Sequence, residues 1–152
     1  MYCDWTNRDS LLVTKEEFDD DLQRSYEELR KFSIDKDKAR YFLPPYEWFN
    51  DSIVEWTAKQ DLQLINYTPG TKSTADYTYP EMNERYVASD DIYRSIIAYE
   101  KTSPSGLNGF ILLMHIGTDP RRKDKFYHYL PQLLRHMSNL GYEWVRVDAL
   151  LD

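Results

Sequence analysis

Residues 108–117 read NGFILLMHIG, an unbroken apolar run from Phe110 to Met114 that closes on His115 between two glycines. The run is far too short to span a membrane and lacks the alternation of a strand with one wet face. It predicts a strand buried on both faces, as in parallel sheets covered by helices. Parallel strands need crossover connections, usually helical, so the rest of the chain must supply them.

It does so on paper. In TKEEFDDDLQRSYEELRKF, Thr14 and Glu17 form a capping box, and Phe18, Leu22, Tyr26 and Leu29 share one helical face. Acids fill the early turns, with Arg30 and Lys31 at the end, matching the helix dipole. ARYFL predicts a short strand stopped by Pro44 and Pro45, since proline cannot donate to a ladder. EWFNDSIVEWTAKQ reads as a second helix with Ile53, Val54 and Trp56 available for packing, and residues 62–66 as a strand. YTPGTKSTADYTYP is a long polar loop with a Pro-Gly turn. Ser89 is expected to cap a third helix, and a last helix over residues 123–139 to kink or break at Pro131. YEWVRVDAL closes the chain as a strand. Strands near residues 40, 63, 110 and 145, alternating with helices, predict a parallel α/β sheet in a single domain, residues 1–152.

The formal charge of −7 argues against nucleic acid or an anionic membrane as partner. The mixed run DPRRKDK, residues 119–125, reads as a solvated loop. Cys3 is the sole cysteine, which leaves no disulfide framework and no zinc knuckle. With neither a leader nor a membrane-spanning run, the chain as written is expected to stay in the cytoplasm.

In parallel sheets ligands bind at the carboxyl ends of the strands. PPYEWFN, NYTPGTKS and HIGTDP each leave such an end and are expected to share one rim. His115 stands there, where a near-neutral imidazole can give or take a proton; the competing reading is a histidine merely satisfied by a neighbouring carbonyl. Tyr46, Glu47, Trp48 and Tyr67 could wall a sugar site, since Tyr and Trp offer flat faces with a polar handle. Some of these aromatics equally suit a core, and Glu47 and Asn50 suit a helix start. His128 and His136, eight apart, read as surface or packing residues. Asp19, Asp20 and Asp21 splay around a helix rather than converge on a cation. No GxSxG elbow, GxGxxG or Walker loop occurs.

Together these segments resemble the second half of the NodB-homology polysaccharide deacetylases, carbohydrate esterase family 4. RYFLPPYEWFN matches that family's Arg-Pro-Pro-Tyr segment, and FILLMHIGT its Leu-x-His segment through Leu113 and His115. NYTPGTKSTADYT falls where the family carries an Asp-Trp element, here Asp76 and Tyr77. The resemblance runs from about residue 10 to the end. It implies a partial distorted (β/α) barrel of about four parallel strands, and removal of acetyl groups from acetylated carbohydrate polymers. By that resemblance His115 would be the general acid, Leu113 would line the acetyl pocket and Tyr46 would stand in the rim; Asp76 and the wall residues Trp48 and Tyr67 are the further expected substrate contacts. The family's divalent metal, such as zinc, is held by one Asp and two His. The Thr-Phe-Asp-Asp-Gly and His-x-x-x-His segments that carry those ligands are missing from this sequence, and Leu43 replaces the Arg that pairs with the family's catalytic base. The expectation is therefore no metal site and no turnover by this chain alone, because a full barrel typically needs ~250 residues. An exposed sheet edge is expected to promote self-association. The alternative is a non-catalytic carbohydrate-binding or scaffold domain.

Overall fold

The capping box at Thr14 is made in full. Thr14 Oγ1 accepts from the Glu17 N–H at 3.2 Å, and the Glu17 carboxylate accepts from the Thr14 N–H at 2.8 Å. This starts α1, Lys15–Arg30, in a computed structural model that describes residues 1–151. Contacts gather in two units, Met1–Asn66 and a second that begins at Tyr67.

In the first unit α1 turns Phe18 and Leu22 into the core, and the Tyr26 hydroxyl donates to the Ala39 carbonyl at 2.7 Å. Helix α2, Asp51–Lys59, starts later than expected because Asn50 is its cap. Asn50 Oδ1 accepts from the Ile53 N–H at 3.1 Å while Nδ2 donates to the Arg8 carbonyl at 3.0 Å. Glu47 takes no part in that cap. Between the helices, β1 (Tyr41–Phe42) ends before the prolines and pairs in parallel with β2 (Gln63–Leu64), Tyr41 opposite Gln63. The core joins Tyr2, Cys3, Phe18, Leu22, Ile53 and Leu62, with the Tyr2 ring edge-on to Phe18 at 5.0 Å. Burying a side chain the size of Phe18 stabilises by about 1.5–3 kcal/mol.

The second unit packs α3 (Ser89–Thr102) and α4 (Leu130–Asn139) around Ile92, Ile96, Phe126, Leu133 and Met137, and α5 (Val147–Leu151), with no buried residue, follows. Pro131 breaks the expected last helix: a 3-10 turn, Phe126–Tyr129, precedes α4, and the proline sits in the first turn of α4, where its missing N–H costs nothing. Ser89 is not the cap of α3 but its first residue, and Ala88 precedes it. A distant carboxylate does the capping instead, with Asp124 Oδ2 accepting from the Ser89 N–H at 2.8 Å.

The partial (β/α) barrel of about four parallel strands is overturned. Among the described residues the sheet consists of β1 and β2 alone, each two residues long. The run at 110–115 forms no strand. Ile111 exchanges hydrogen bonds with Thr68, its carbonyl accepting from the Thr68 N–H and its N–H donating to Thr68 Oγ1, both at 3.0 Å. Leu112 and Met114 pack against the helical core. Apolar character reports that partial burial, whereas a strand also needs ladder hydrogen bonds to a neighbouring backbone, and residues 112–114 make none among the described residues. Residues 142–146 likewise form no strand; Trp144 and Val145 stay exposed, and the chain turns into α5. No helix among the described residues is long and apolar enough to cross a membrane.

The DPRRKDK loop is not simply solvated. Arg122 is completely buried. Its guanidinium donates to the carbonyls of Thr78 at 2.6 Å, Val87 at 3.0 Å and Asp124 at 3.1 Å, and to Ser89 Oγ at 2.8 Å. A planar fork of five N–H donors suits this task, and an ammonium would not. Arg121 grips the Asp119 carboxylate through Nε and Nη2 and lies over the Tyr79 ring at 3.8 Å. Lys125 Nζ donates to the carbonyls of Thr118 and Asp119 at 3.0 and 2.7 Å.

Candidate functional site

Asp76 and His115, 39 residues apart in sequence, meet in the second unit. Asp76 lies in the 3-10 turn Ser73–Tyr77. That turn is tied down on its far side: the Thr78 hydroxyl donates to the Ala75 carbonyl at 2.6 Å and accepts from the Val87 N–H at 3.1 Å. Arg122 holds the Thr78 carbonyl. The Asp76 side chain is 1% exposed and that of His115 34%.

Two bonds join them. Asp76 Oδ2 accepts from the His115 backbone N–H at 2.7 Å, and Oδ1 lies 2.5 Å from His115 Nδ1. An ionised carboxylate can only accept, so the proton between them belongs to Nδ1. In the neutral ring Nε2 is then left with its lone pair. The backbone bond fixes where the ring begins and the side-chain bond fixes its rotation. Tyr77 completes the setting with its ring edge-on to the imidazole at 5.7 Å, and Arg85 Nη2 approaches the Tyr77 hydroxyl at 3.4 Å.

A histidine held in one tautomer by a buried carboxylate, with one-third of its surface open, can accept a proton at Nε2 or deliver one from it. This is more than a histidine satisfied by a passing carbonyl. A buried carboxylate is costly unless it is well paired, and both oxygens of Asp76 are bonded to the same residue.

The loop after His115 is set electrostatically. Hydrogen bonds from the Arg121 side chain and backbone pull the Asp119 carboxyl down to about 2. Burial pushes Asp124 up, but the Ser89 N–H, the Tyr86 hydroxyl and the Arg122 charge together leave it below its ordinary value.

The other residues singled out from sequence fall as follows. Leu113 is half-buried, two residues before His115, and Tyr67 is half-buried beside Thr68, which holds Ile111. Tyr46 and Trp48 belong to the first unit. Tyr46 is 70% exposed with left-handed backbone, φ 62° and ψ 19°, a conformation that costs a bulky residue of order 1–3 kcal/mol. Trp48 carries Arg8 over its ring at 3.7 Å, stacks obliquely on Trp5 at 4.9 Å and donates from Nε1 to the Asp4 carbonyl at 3.0 Å. His128 is exposed, and His136 buries an Nε2 without a partner among the described residues. No three His, Cys, Asp or Glu side chains among the described residues come together in a group able to hold a metal ion.

Sequence reasoning named Asp76 and His115 separately and missed that they bond to each other. It missed Arg122 altogether, because a buried arginine in a mixed charge run leaves no signal in composition. No protein-family model matches the chain, and no curated protein matches it in sequence.

Proposed function

We propose that the Asp76–His115 pair is the proton-transfer centre of a carbohydrate-deacetylase-like site that acts on acetylated sugar polymers. The observation that carries this reading is the pair of hydrogen bonds that Asp76 accepts from the His115 backbone N–H and ring, which leaves Nε2 as the working nitrogen. In hydrolysis of an acetyl group, water adds to the acyl carbon and the sugar nitrogen or oxygen departs. His115 Nε2 first takes the proton that the adding water gives up, Asp76 stabilises the resulting imidazolium, and Nε2–H then donates that proton to the leaving atom as its bond to carbon breaks. Leu113 offers an apolar neighbour for the acetyl methyl, and Tyr77 a flat face beside the imidazole for the sugar. On this reading His115 supplies the acid and nothing besides the same imidazole activates the water, so turnover by this chain alone is slow at most.

The test is acetate release from acetylated chitin and xylan oligosaccharides by the whole chain, with and without added zinc. Slow release that falls about 100-fold in His115→Ala is expected, the scale of a single general acid. Equal rates for the two proteins would overturn the enzymatic reading. The exposed Tyr77 ring favours one second reading, a non-catalytic sugar-binding domain. On that view oligosaccharide affinity survives His115→Ala and falls in Tyr77→Ala.

A further inference from the structure

A cavity of about 700 Å³ opens in the second unit and shares no lining residue with the Asp76–His115 pair. It is partly open to solvent, and its volume falls in the range of small-molecule sites, roughly 300–1,000 Å³. Its apolar lining comes from α3, α4, Leu107 and Leu112, and the aromatic part from Phe110, Tyr142 and Trp144. Two of these rings are fixed in place. Phe110 lies edge-on to Tyr99 at 5.1 Å, and the Tyr142 hydroxyl accepts from the Leu107 N–H at 2.9 Å.

The charge of the lining is one-sided. Glu100 and Glu143 contribute to it, with no Lys, Arg or His. Neither carboxylate has a hydrogen-bond or ion-pair partner among the described residues. Aromatic faces attract cations through their quadrupole, and nearby carboxylates add to the attraction, so an apolar body with positive charge satisfies both features at once. An anion would meet repulsion from two carboxylates with nothing to offset it.

We propose that this cavity binds a small amphiphilic cation, an aromatic or aliphatic body that carries a quaternary or protonated amine. The site is independent of the hydrolytic reading, because it uses none of the residues assigned to proton transfer.

The test is calorimetric titration of the whole chain with 3-phenylpropyltrimethylammonium, beside 4-phenylbutanol and 4-phenylbutyrate as neutral and anionic probes. Saturable one-site binding of the cation is expected. The alcohol should bind about tenfold more weakly, in line with a cation–π contribution. The double variant Glu100→Gln, Glu143→Gln should weaken the cation about fivefold and leave the alcohol unchanged. Ala149→Trp, which fills the cavity from the exposed helix α5, should abolish binding of both. Equal affinity for the three probes, an unchanged cation affinity in the double variant, or no saturation by about 10 mM cation would each overturn the proposal.

Discussion

The two units solve the same problem with different materials. The first is held by an apolar core, Phe18 and Leu22 from α1 against Ile53 from α2, with Tyr2 closing over Phe18. The second has an apolar core as well, but its loops are fastened by charge: Arg122 bonds to three carbonyls and a hydroxyl, and Asp124 caps α3. The difference lies in how each tolerates change. Apolar contact is non-directional and roughly proportional to area, so a similar shape serves nearly as well. A buried polar network fails when one member is lost, because every orphaned partner keeps its desolvation cost. The candidate site lies in the second unit, where Asp76 depends on a loop held in this way.

The largest effects should expose that contrast. Arg122→Met is expected to cost about 3–5 kcal/mol, since it removes the charge and strands buried carbonyls. Arg122→Lys should recover little, because one ammonium cannot reach the positions of a planar fork. Phe18→Ala should cost a similar 3–5 kcal/mol, yet Phe18→Leu should recover most of it. Chemical denaturation gives the magnitudes, and hydrogen exchange gives the place. Amides from Tyr67 onward should open in the arginine variants while the Phe18–Ile53 core keeps its protection. Full rescue by lysine would break the comparison.

A smaller effect is expected at the candidate site. Asp76→Asn leaves an acceptor for the His115 backbone N–H and should cost about 1–2 kcal/mol. The chemistry should change more than the stability. An amide N–H turned toward Nδ1 makes that nitrogen an acceptor and moves the ring proton to Nε2. Nitrogen-15 shifts of the imidazole report this directly, with Nδ1 protonated in the parent and Nε2 in the variant. An unchanged tautomer would show that Asp76 does not set the ring. Smaller again is Asn50→Ala in the first unit, about 1 kcal/mol by the usual worth of a cap.

How much of this was legible in the sequence follows the same division. The features of the first unit are local, and they could be read: Thr14 and Glu17 cap α1, four apolar residues at helical spacing mark its buried face, and two prolines end β1. The second unit depends on long-range partners. Phe110 to Met114 suggested a strand buried on both faces, yet all five are only half-buried and form no strand, because a ladder needs a neighbour that composition does not encode. Ser89 looked like a cap, but the bond comes from Asp124, 35 residues away. Asp76 and His115 were both chosen, yet only the fold brings one to the other. Arg122 was the largest miss. Charge in a loop ordinarily means solvent, and nothing local distinguishes the arginine that turns inward from Arg121 beside it.

The smallest expected effect tests the polar fastening by pH. Asp119 and Asp124 have folded pKa values below the ordinary 3.8, Asp119 at about 2. Groups lowered by folding contribute stability that is present above the unfolded value and lost as pH falls through the folded one. The loop after His115 should therefore loosen between about pH 4 and pH 2, when protonated Asp124 releases the Ser89 N–H and protonated Asp119 releases Arg121. The first unit offers the opposite sign in its core. Burial, and then the hydrogen bond to Asp21, raise the Tyr2 hydroxyl, so its contribution is lost only as pH climbs above 10.0. Asp4, Asp19 and Glu55 are lowered too, by Thr6, Lys15 and Lys59, but none belongs to that core. Acid should thus loosen residues 118–125 before the Phe18–Ile53 contacts, as read by amide exchange near Arg122 and near Ile53. The Asp124→Asn variant should be looser at neutral pH and flatter across the acid range. If both regions open together as the pH falls, the polar fastening is not what distinguishes the second unit.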